Sequence, residues 1–184
     1  LISLSRRSKQ ALMLAFDIVA KRARENDKTA LIVIDQAGEK IVYHSYSDID
    51  YSSSQFANAL IAMGAKKGDA ALIVIPRIAE WYHAILGCTK IGVIAMPGTN
   101  LLTAKDLEYR INEADAKIAI VTSAHREAVD SIKANCPTLQ KLIVDGEDAK
   151  GWKNFKTLCL EQSKTVDRSK LPKTSADELM LIYF

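Results

Sequence analysis

The sequence contains little cysteine, and none of it stands at a metal-binding spacing. Its three cysteines, Cys88, Cys136 and Cys159, are far apart and odd in number, without a C-x-x-C pair or a histidine at a zinc-ligand offset. This pattern excludes a disulfide framework and a cysteine-based metal site. We therefore predict three buried free thiols in a reducing compartment, with the cytoplasm as the expected location.

Long apolar runs are also missing. No run approaches the roughly 18 residues of a membrane-spanning helix, so no transmembrane segment is predicted. The first residues lack the apolar core of a signal peptide, and the sequence has no N-x-S/T glycosylation acceptor. One alternative stays open, because residues 1–16 contain serine and arginine but no acidic residue, which is also typical of an organelle transit segment.

Neither sign of charge dominates the chain. Lys and Arg number 25 against 22 Asp and Glu, giving a net charge of +3. The one local basic excess lies within residues 6–24 and is too small for a nucleic-acid surface, so we expect no nucleic-acid partner. A length of 184 residues predicts one domain, or at most two, with a core that needs neither disulfides nor a structural metal.

Motifs of catalysis are absent as well. The sequence has no G-x-G-x-x-G, no G-x-x-x-x-G-K-S/T and no G-x-S-x-G. Its three histidines are His44, His83 and His125, and none has a nucleophilic residue at a spacing typical of a catalytic pair. We interpret them as surface or structural residues. The motifs alone therefore predict a scaffold with no catalytic residue and no metal ligand.

Residues 11–65 are predicted to form a helix, a β-hairpin and a second helix. The predicted bounds are 11–24 for the first helix, and 30–35 and 40–46 for the two strands. The second helix is predicted to begin at an N-cap at Ser47, because Asp48 and Asp50 follow in its first turn. Gly64 is predicted to end this helix as its C-cap.

Residues 70–145 alternate between strand and helix patterns. The unbroken apolar run at 70–75 is typical of a strand buried on both faces of a parallel sheet. Further strands are predicted at 92–96, 117–121 and 142–144, with helix caps at Thr103 and Ser123. Strands separated by single helices pair in parallel through right-handed crossovers. The predicted fold class is therefore α/β, a doubly wound and mainly parallel sheet with helices on both faces.

Ligands of such sheets bind beyond the carboxyl ends of the strands. Here those ends are residues 76–77, 97–103 and 122–126.

The segment at the second of these ends resembles the adenylate-forming acyl-CoA synthetases. Residues 94–110 read IAMPGTNLLTAKDLEYR, which is similar to a signature of the branch that uses medium-chain fatty acids. Residues 27–34, 60–69 and 76–92 resemble other family segments in the same order and spacing. The likeness runs from about residue 16 to residue 184 and departs from the family mainly where Asn26 and Ala79 replace common prolines.

The resemblance implies an ATP-dependent ligase that works in two steps. A carboxylate attacks the α-phosphate of Mg-ATP to give acyl-adenylate and pyrophosphate, and the thiol of CoA then displaces AMP. In this family a strand resembling residues 178–184 runs into a Thr-, Ser- and Gly-rich phosphate loop that this sequence does not contain. We therefore expect residues 1–184 to be the N-terminal subdomain of a larger enzyme, with residues 152–184 as a return segment. ATP, Mg²⁺ and CoA are expected for the whole enzyme, whereas this chain alone should be inactive and hold none of them.

One binding role is implied for this chain's own residues. In the family the loop after the second strand of the main sheet approaches the pantetheine tunnel of CoA, which places Gly98, Thr99 and Leu101 near that cofactor. A glycine would allow a narrow ligand to approach the backbone closely. An ordinary strand-to-helix turn explains the same residues. Arg77 and Arg126 follow strands and could meet the phosphates of CoA, although solvated surface arginines are more common.

Other interpretations stay open. Trp81 and Tyr82 could stack on a ligand, but their helical spacing with Ile78 and Ile85 favours core packing. The chain could be a non-catalytic binding or assembly module, or an adenylation domain from another branch of the superfamily. The apolar segment 179–184 argues against the first of these, because an unpartnered apolar strand is prone to aggregation. A homodimer and the chain length of the acid are left undecided by the sequence.

Overall fold

The computed structural model describes residues 14–25, 27–35, 37–175 and 177–184. The start of the predicted first helix and most of the segment considered as a transit sequence lie outside these ranges. The first described element is a π-helix, Leu14–Ala20, which continues as helix α1, Lys21–Glu25. Strands β1, Thr29–Ile34, and β2, Ile41–Ser45, then form the predicted antiparallel hairpin.

Helix α2, Tyr46–Ala62, begins two residues before the predicted start. Its N-cap is Ser45, whose Oγ accepts a hydrogen bond from the Asp48 N–H at 3.1 Å, while the Asp48 carboxylate accepts one from the Ser45 N–H at 2.8 Å. The prediction of Ser47 as the cap was wrong, although it also has an aspartate three residues later. That aspartate, Asp50, instead accepts a hydrogen bond from the buried Lys90 ammonium at 2.7 Å.

At the other end of α2 the C-cap is Met63 and not the predicted Gly64. Gly64 is the residue after the cap, with a φ of +76°, a left-handed conformation that strains residues with a Cβ. The Gly64 N–H donates to the Ile61 carbonyl at 2.8 Å, and the Ala65 N–H donates to the Leu60 carbonyl at 2.9 Å. These bonds use carbonyl groups that the last turn would otherwise leave unpaired.

The main sheet has five parallel strands. They are β3, Ala70–Val74; β4, Ile94–Pro97; β5, Ile118–Thr122; β6, Lys141–Asp145; and β7, Lys153–Asn154, in the spatial order β4-β3-β5-β6-β7. This is the doubly wound order 2-1-3-4-5 when the strands of the sheet are counted along the chain, with the winding direction reversing between β3 and β5.

Helices cover both faces of this sheet. They are α3, Ala79–Ile91; α4, Ala104–Glu113; α5, Ser123–Ile132; and α6, Phe155–Leu160. The α2, α3 and α6 helices pack on one face, where Phe56 stacks on Phe155 with ring centroids 4.6 Å apart. The α4 and α5 helices pack on the other face through residues that include Leu107 and Val129. The predicted doubly wound α/β class is confirmed.

Several bounds in and around the main sheet differ from the prediction by one or two residues, and two of the differences have a clear structural reason. Strand β4 begins at Ile94 rather than at Gly92, because Gly92 has a φ of +73° and caps α3 by donating to the Cys88 and Thr89 carbonyls. Ser123 is not the N-cap of α5 but its first residue. Its hydroxyl accepts a hydrogen bond from the Glu147 N–H at 3.1 Å, and Thr122 occupies the cap position without a hydrogen bond from its side chain to the backbone of the helix.

The predicted strand at 178–184 is reduced to one bridge beside β4. The Ala95 N–H donates to the Met180 carbonyl at 3.1 Å, and the Ile182 N–H donates to the Ala95 carbonyl at 3.0 Å. Alternate residues of a strand direct their backbone N–H groups to the same edge of the sheet. After Ala95, the next N–H donor from β4 toward the last residues of the chain would therefore come from the position of Pro97. Proline has no backbone N–H, so the pairing stops there.

Residues between α6 and this bridge return along α2 and α3. The Asn58 amide donates to the Ser163 and Thr165 carbonyls, each at 2.9 Å, and Lys67 forms an ion pair with Glu178 at 2.7 Å. The division of the chain into residues 11–65, 70–145 and 152–184 stays a prediction. None of the helices in the described ranges has the length and apolarity to cross a membrane.

The three cysteines are free thiols. Cys88 and Cys136 are buried, as predicted, and Cys159 is half-buried. Burial raises the pKa of both the Cys88 and the Cys159 thiol to about 12, with Glu80 adding to the effect at Cys159. Because the thiolate is the reactive form, neither group is suited to act as a nucleophile at neutral pH.

Candidate functional site

A cavity of about 420 Å³ opens at the carboxyl ends of β3 and β4. Its wall combines the residues that follow the two strands with side chains from α3, α4 and the last residues of the chain: Ile75, Pro76, Arg77, Trp81, Pro97, Gly98, Thr99, Asn100, Arg110, Tyr183 and Phe184. A larger groove of about 850 Å³ lies between α2 and residues 162–172. We place the candidate site in the first cavity, because parallel sheets bind ligands beyond their carboxyl ends.

Two guanidinium groups stand in the cavity wall, each over an aromatic ring. The Arg77 guanidinium carbon lies 5.2 Å from the centre of the Trp81 ring, and that of Arg110 lies 5.3 Å from the centre of Phe184. Neither arginine forms an ion pair with any carboxylate of the described residues. Stacking occupies one face of each guanidinium and leaves its N–H edge for an anionic ligand.

The carboxyl edge of the sheet is acidic at β6, two strands away from β3. Asp145 ends β6, and its pKa is raised, first by burial and then by the nearby Glu80 carboxylate. The carboxyl edge therefore carries cations near β3 and β4 and carboxylates near β6. An anionic ligand is favoured at the first of these positions.

The loop after β4 lies close against β3. The Gly98 N–H donates to the Ile73 carbonyl at 2.8 Å. A Cβ at Gly98 would lie 2.6 Å from Leu102 Cδ1 and 3.2 Å from Val74 Cγ2. Any other residue here would displace the Leu102 and Val74 side chains, which is a packing reason for glycine separate from the ligand approach considered for it.

The structure brings two of the three predicted CoA-contact residues together. Gly98 and Thr99 both line the cavity, whereas the Leu101 side chain is 87% exposed and is not part of the wall. The Thr99 hydroxyl accepts a hydrogen bond from the Leu101 N–H at 3.3 Å. Any contribution of Leu101 to a ligand site would therefore pass through its backbone.

A capping box fixes the start of α4 beside this loop, as predicted. The Thr103 N–H and hydroxyl donate to the Asp106 carboxylate at 2.9 and 2.6 Å, and the Asp106 N–H donates to the Thr103 hydroxyl at 3.4 Å. Hydrogen bonds from the Thr103 hydroxyl and backbone lower the pKa of Asp106. With the start of the helix fixed, the position of Arg110 in the cavity wall is fixed as well.

Other predicted residues divide between the site and the surface. Trp81 packs against the core cluster of α2 and α3, which confirms its core-packing interpretation. It also lines the cavity, and stacking on a ligand there stays a prediction. Tyr82 contacts the Trp81 ring edge-on, with centroids 5.0 Å apart. Arg126 lies outside the wall, 3.7 Å from the Glu127 carboxylate. Arg77 lines the cavity.

Sequence reasoning missed Arg110, Tyr183 and Phe184 as wall residues, whereas Asn100 lies within the predicted strand-end loop 97–103. The one local signal was available for Arg110, since the predicted capping box sets the phase of α4. Within the described residues, no cluster of three or more His, Cys, Asp or Glu side chains could hold a metal ion.

Comparison with known proteins identifies close relatives in sequence. Residues 18–184 match the family described as AMP-binding enzyme. The human acyl-coenzyme A synthetase ACSM2A, mitochondrial, is 33% identical over 166 residues, which cover 89% of this chain and 28% of that protein. The mouse acyl-coenzyme A synthetase ACSM3, mitochondrial, is 36% identical over 153 residues, or 82% of this chain and 26% of that protein. The chain thus spans about a quarter of the length of these relatives.

Solved structures share the fold. An anthranilate CoA ligase, AuaEII, in complex with anthranoyl-AMP aligns with a TM-score of 0.77 and 24% identity over 89% of this chain and 30% of that one. A Brucella canis acyl-CoA synthetase aligns with a TM-score of 0.82 and 18% identity over 95% of this chain and 31% of that one. The family match over most of its length, joined to this fold, shows that the chain belongs to the AMP-binding enzymes and is related to acyl-coenzyme A synthetases.

Proposed function

We propose that this chain is the N-terminal part of an ATP-dependent acyl-CoA synthetase, and that its strand-end cavity holds part of CoA while the thioester forms. The family match and the names of the relatives support the reaction class. The observation that carries the proposal is the cavity beyond β3 and β4, with two guanidinium groups that form no ion pair within the described residues.

The proposed reaction has two steps. The oxygen of a carboxylate bonds to the α-phosphorus of ATP as pyrophosphate leaves, and the sulfur of CoA then bonds to the acyl carbon as AMP leaves. ATP with Mg²⁺ supplies the activated phosphate for the first step. A medium-chain acid is the substrate class that the segment 94–110 favours, with acetate and aromatic acids as the alternatives.

This chain's own residues are proposed to bind and orient CoA. Arg77 and Arg110 direct N–H groups toward its phosphates, whose oxygen atoms the planar fork of a guanidinium group binds well. Gly98 and Thr99 border its pantetheine portion, and the Thr99 hydroxyl offers a hydrogen bond. Leu101 adds backbone contact only.

The chain by itself is proposed to be inactive. The sequence contains no Thr-, Ser- and Gly-rich phosphate loop, and the described residues offer no metal-binding cluster. Charge developing on the α-phosphate in the first step therefore has too few donors to stabilise it. Binding of ATP and Mg²⁺ is assigned to the rest of the enzyme.

The experiment uses the full-length natural protein beside residues 1–184. We expect the full-length protein to catalyse carboxylate-dependent exchange of pyrophosphate into ATP and to form acyl-CoA, with highest kcat/KM on a medium-chain acid within a panel from acetate to benzoate. We expect residues 1–184 to do neither. Acyl-CoA formation by residues 1–184, or a full-length protein that binds nucleotide but forms no thioester, would overturn the proposal.

The location of the natural protein is tested separately. The relatives described above carry the word mitochondrial in their names, whereas the cysteine content led us to expect the cytoplasm. Imaging of the full-length protein with a C-terminal tag compares the two. Overlap with a mitochondrial marker would contradict the cytoplasmic prediction and support the transit-segment alternative.

A further inference from the structure

We propose that His125 is a positioning residue that orients the Thr99 hydroxyl toward the cavity through the peptide group between Asn100 and Leu101. His125 lies on α5 and is not part of the cavity wall, so any effect on a ligand is indirect. The identity of the ligand, CoA, rests on the proposed function, whereas the positioning itself rests on hydrogen bonds within this chain.

The hydrogen bonds of His125 fix where its ring proton lies. Its Nε2 is 3.0 Å from the carbonyl oxygen of Asn100, and its Nδ1 is 3.2 Å from the Thr122 hydroxyl. A carbonyl oxygen only accepts hydrogen bonds, so Nε2 carries the proton and donates it. The Thr122 hydroxyl can donate or accept, so it is a suitable partner for Nδ1 whether or not that nitrogen carries a proton.

The peptide group passes this orientation to the cavity. In a trans peptide the C=O and N–H bonds point in opposite directions, and the described residues contain no cis peptide. With the Asn100 carbonyl directed at His125, the Leu101 N–H points away from α5. It donates to the Thr99 hydroxyl oxygen at 3.3 Å.

This bond decides how Thr99 can meet a ligand. Its oxygen already accepts from Leu101, so its own O–H remains available as a donor. Thr99 lines the cavity, and an acceptor oxygen of the ligand is the partner that this arrangement suits, either an amide carbonyl or a phosphate oxygen of CoA.

His125 is well placed for this role, because the two ends of the loop are held elsewhere. Gly98 is bonded to β3 at 2.8 Å, and Thr103 is held in the capping box of α4. Asn100 and Leu101, between them, are exposed to solvent. Helix α5 is anchored on the sheet by the buried Val129 and Ile132, so it offers the exposed loop a rigid support.

The first test measures the loop in residues 1–184 without any ligand. In His125→Gln the side-chain amide nitrogen can take the place of Nε2 and keep the donor, whereas in His125→Asn the shorter side chain can replace only Nδ1. We expect amide hydrogen exchange at Leu101 to be near wild type in the Gln variant and about fivefold faster in the Asn and Ala variants. Equal exchange in the Gln and Asn variants would overturn the proposal.

The second test uses the full-length natural protein. We expect His125→Asn to raise the KM for CoA about fivefold with carboxylate-dependent pyrophosphate exchange unchanged, and His125→Gln to leave both near wild type. In a Thr99→Val background the Gln and Asn variants should become equal, because the group that His125 orients is gone. A difference that persists in that background would contradict the role of Thr99. If the full-length protein forms no acyl-CoA, the proposed function fails, while the exchange measurement still decides the role of His125.

Discussion

The two sheets of this chain differ in how they cover their side chains. All five residues of β3 in the main sheet are buried, because helices lie on both of its faces. The β1–β2 hairpin leaves one face open. Its register pairs Ile32 with Tyr43 and Ile34 with Ile41, and these four side chains are 49–63% exposed.

This difference indicates that the main sheet contributes more to the stability of the fold than the open face of the hairpin does. The main sheet gains free energy from apolar area removed from water on both faces, at about 25 cal/mol per Å². A two-stranded hairpin is marginal alone and depends on the contacts of its inner face with the helices. Loss of a side chain should therefore cost much in the main sheet and little on the open face of the hairpin.

The largest expected effect compares matched isoleucines in the two sheets. Ile120 of β5 is fully buried, whereas Ile34 of β1 is 59% exposed. We expect Ile120→Ala to lower the free energy of unfolding by about 2–5 kcal/mol, since it removes buried methyl groups and leaves a cavity. Ile34→Ala should change it by less than about 0.5 kcal/mol. Urea unfolding of both variants checks this, and equal losses would show that the hairpin face is covered.

A second prediction concerns the contact between the hairpin and α3. His83 of α3 is buried, and its Nε2 has no hydrogen-bond partner among the residues that the structure describes. The ring of His44 from β2 lies edge-on to it with centroids 6.4 Å apart. Burial, and then the charge of His44, lower the pKa of His83 from 6.5 to about 4, against a smaller opposing effect of Asp48. The folded state thus binds its proton less readily than the unfolded state.

Stability should therefore be complete above pH 6.5 and fall as the pH drops toward 4, because the unfolded chain takes up the proton first. Between pH 7 and pH 5 we expect a loss of about 2 kcal/mol from this residue. The measurement is urea unfolding at both pH values. His83→Gln should remove most of this dependence, and a variant that loses as much stability as wild type would assign the effect to other groups.

The smallest effect tests the junction of the hairpin and α2. Ser45→Ala removes the capping hydroxyl and should cost about 1 kcal/mol. Ser47→Ala keeps the backbone N–H that donates to Asp27 at 2.8 Å, and it should cost less than about 0.5 kcal/mol. Thermal unfolding of the two variants compares them. A larger loss for Ser47→Ala would contradict the cap geometry.

Local patterns predicted the fold where neighbours in sequence decide the structure. The apolar run of β3 and the capping box at Thr103 are examples, since each depends on a few consecutive residues. The doubly wound order followed from the alternation of strands and helices.

Errors arose where distant residues decide. Ser45 and Ser47 both precede an aspartate by three residues, and the buried Lys90 on α3 takes one of those aspartates away from a capping role. The predicted last strand stops after one bridge because the edge that it meets contains Pro97.

The candidate site was predictable in position but only partly in composition. The strand-end rule and the family resemblance directed attention to Gly98 and Thr99, which line the cavity. Arg110 and Phe184 come from a helix face and the last residues of the chain, and only the fold brings them together. The bond from His125 to the Asn100 carbonyl also joins residues that no local pattern links.

The central claim is that the cavity beyond β3 and β4 binds CoA, and a pair of arginine variants tests it most directly. In the full-length natural protein we expect Arg77→Met to raise the KM for CoA about tenfold or more, because a charge-assisted hydrogen bond to phosphate is lost. Arg126→Met, outside the cavity wall, should leave that KM unchanged. The same rise in both variants, or in neither, would contradict the assignment of the cavity to CoA.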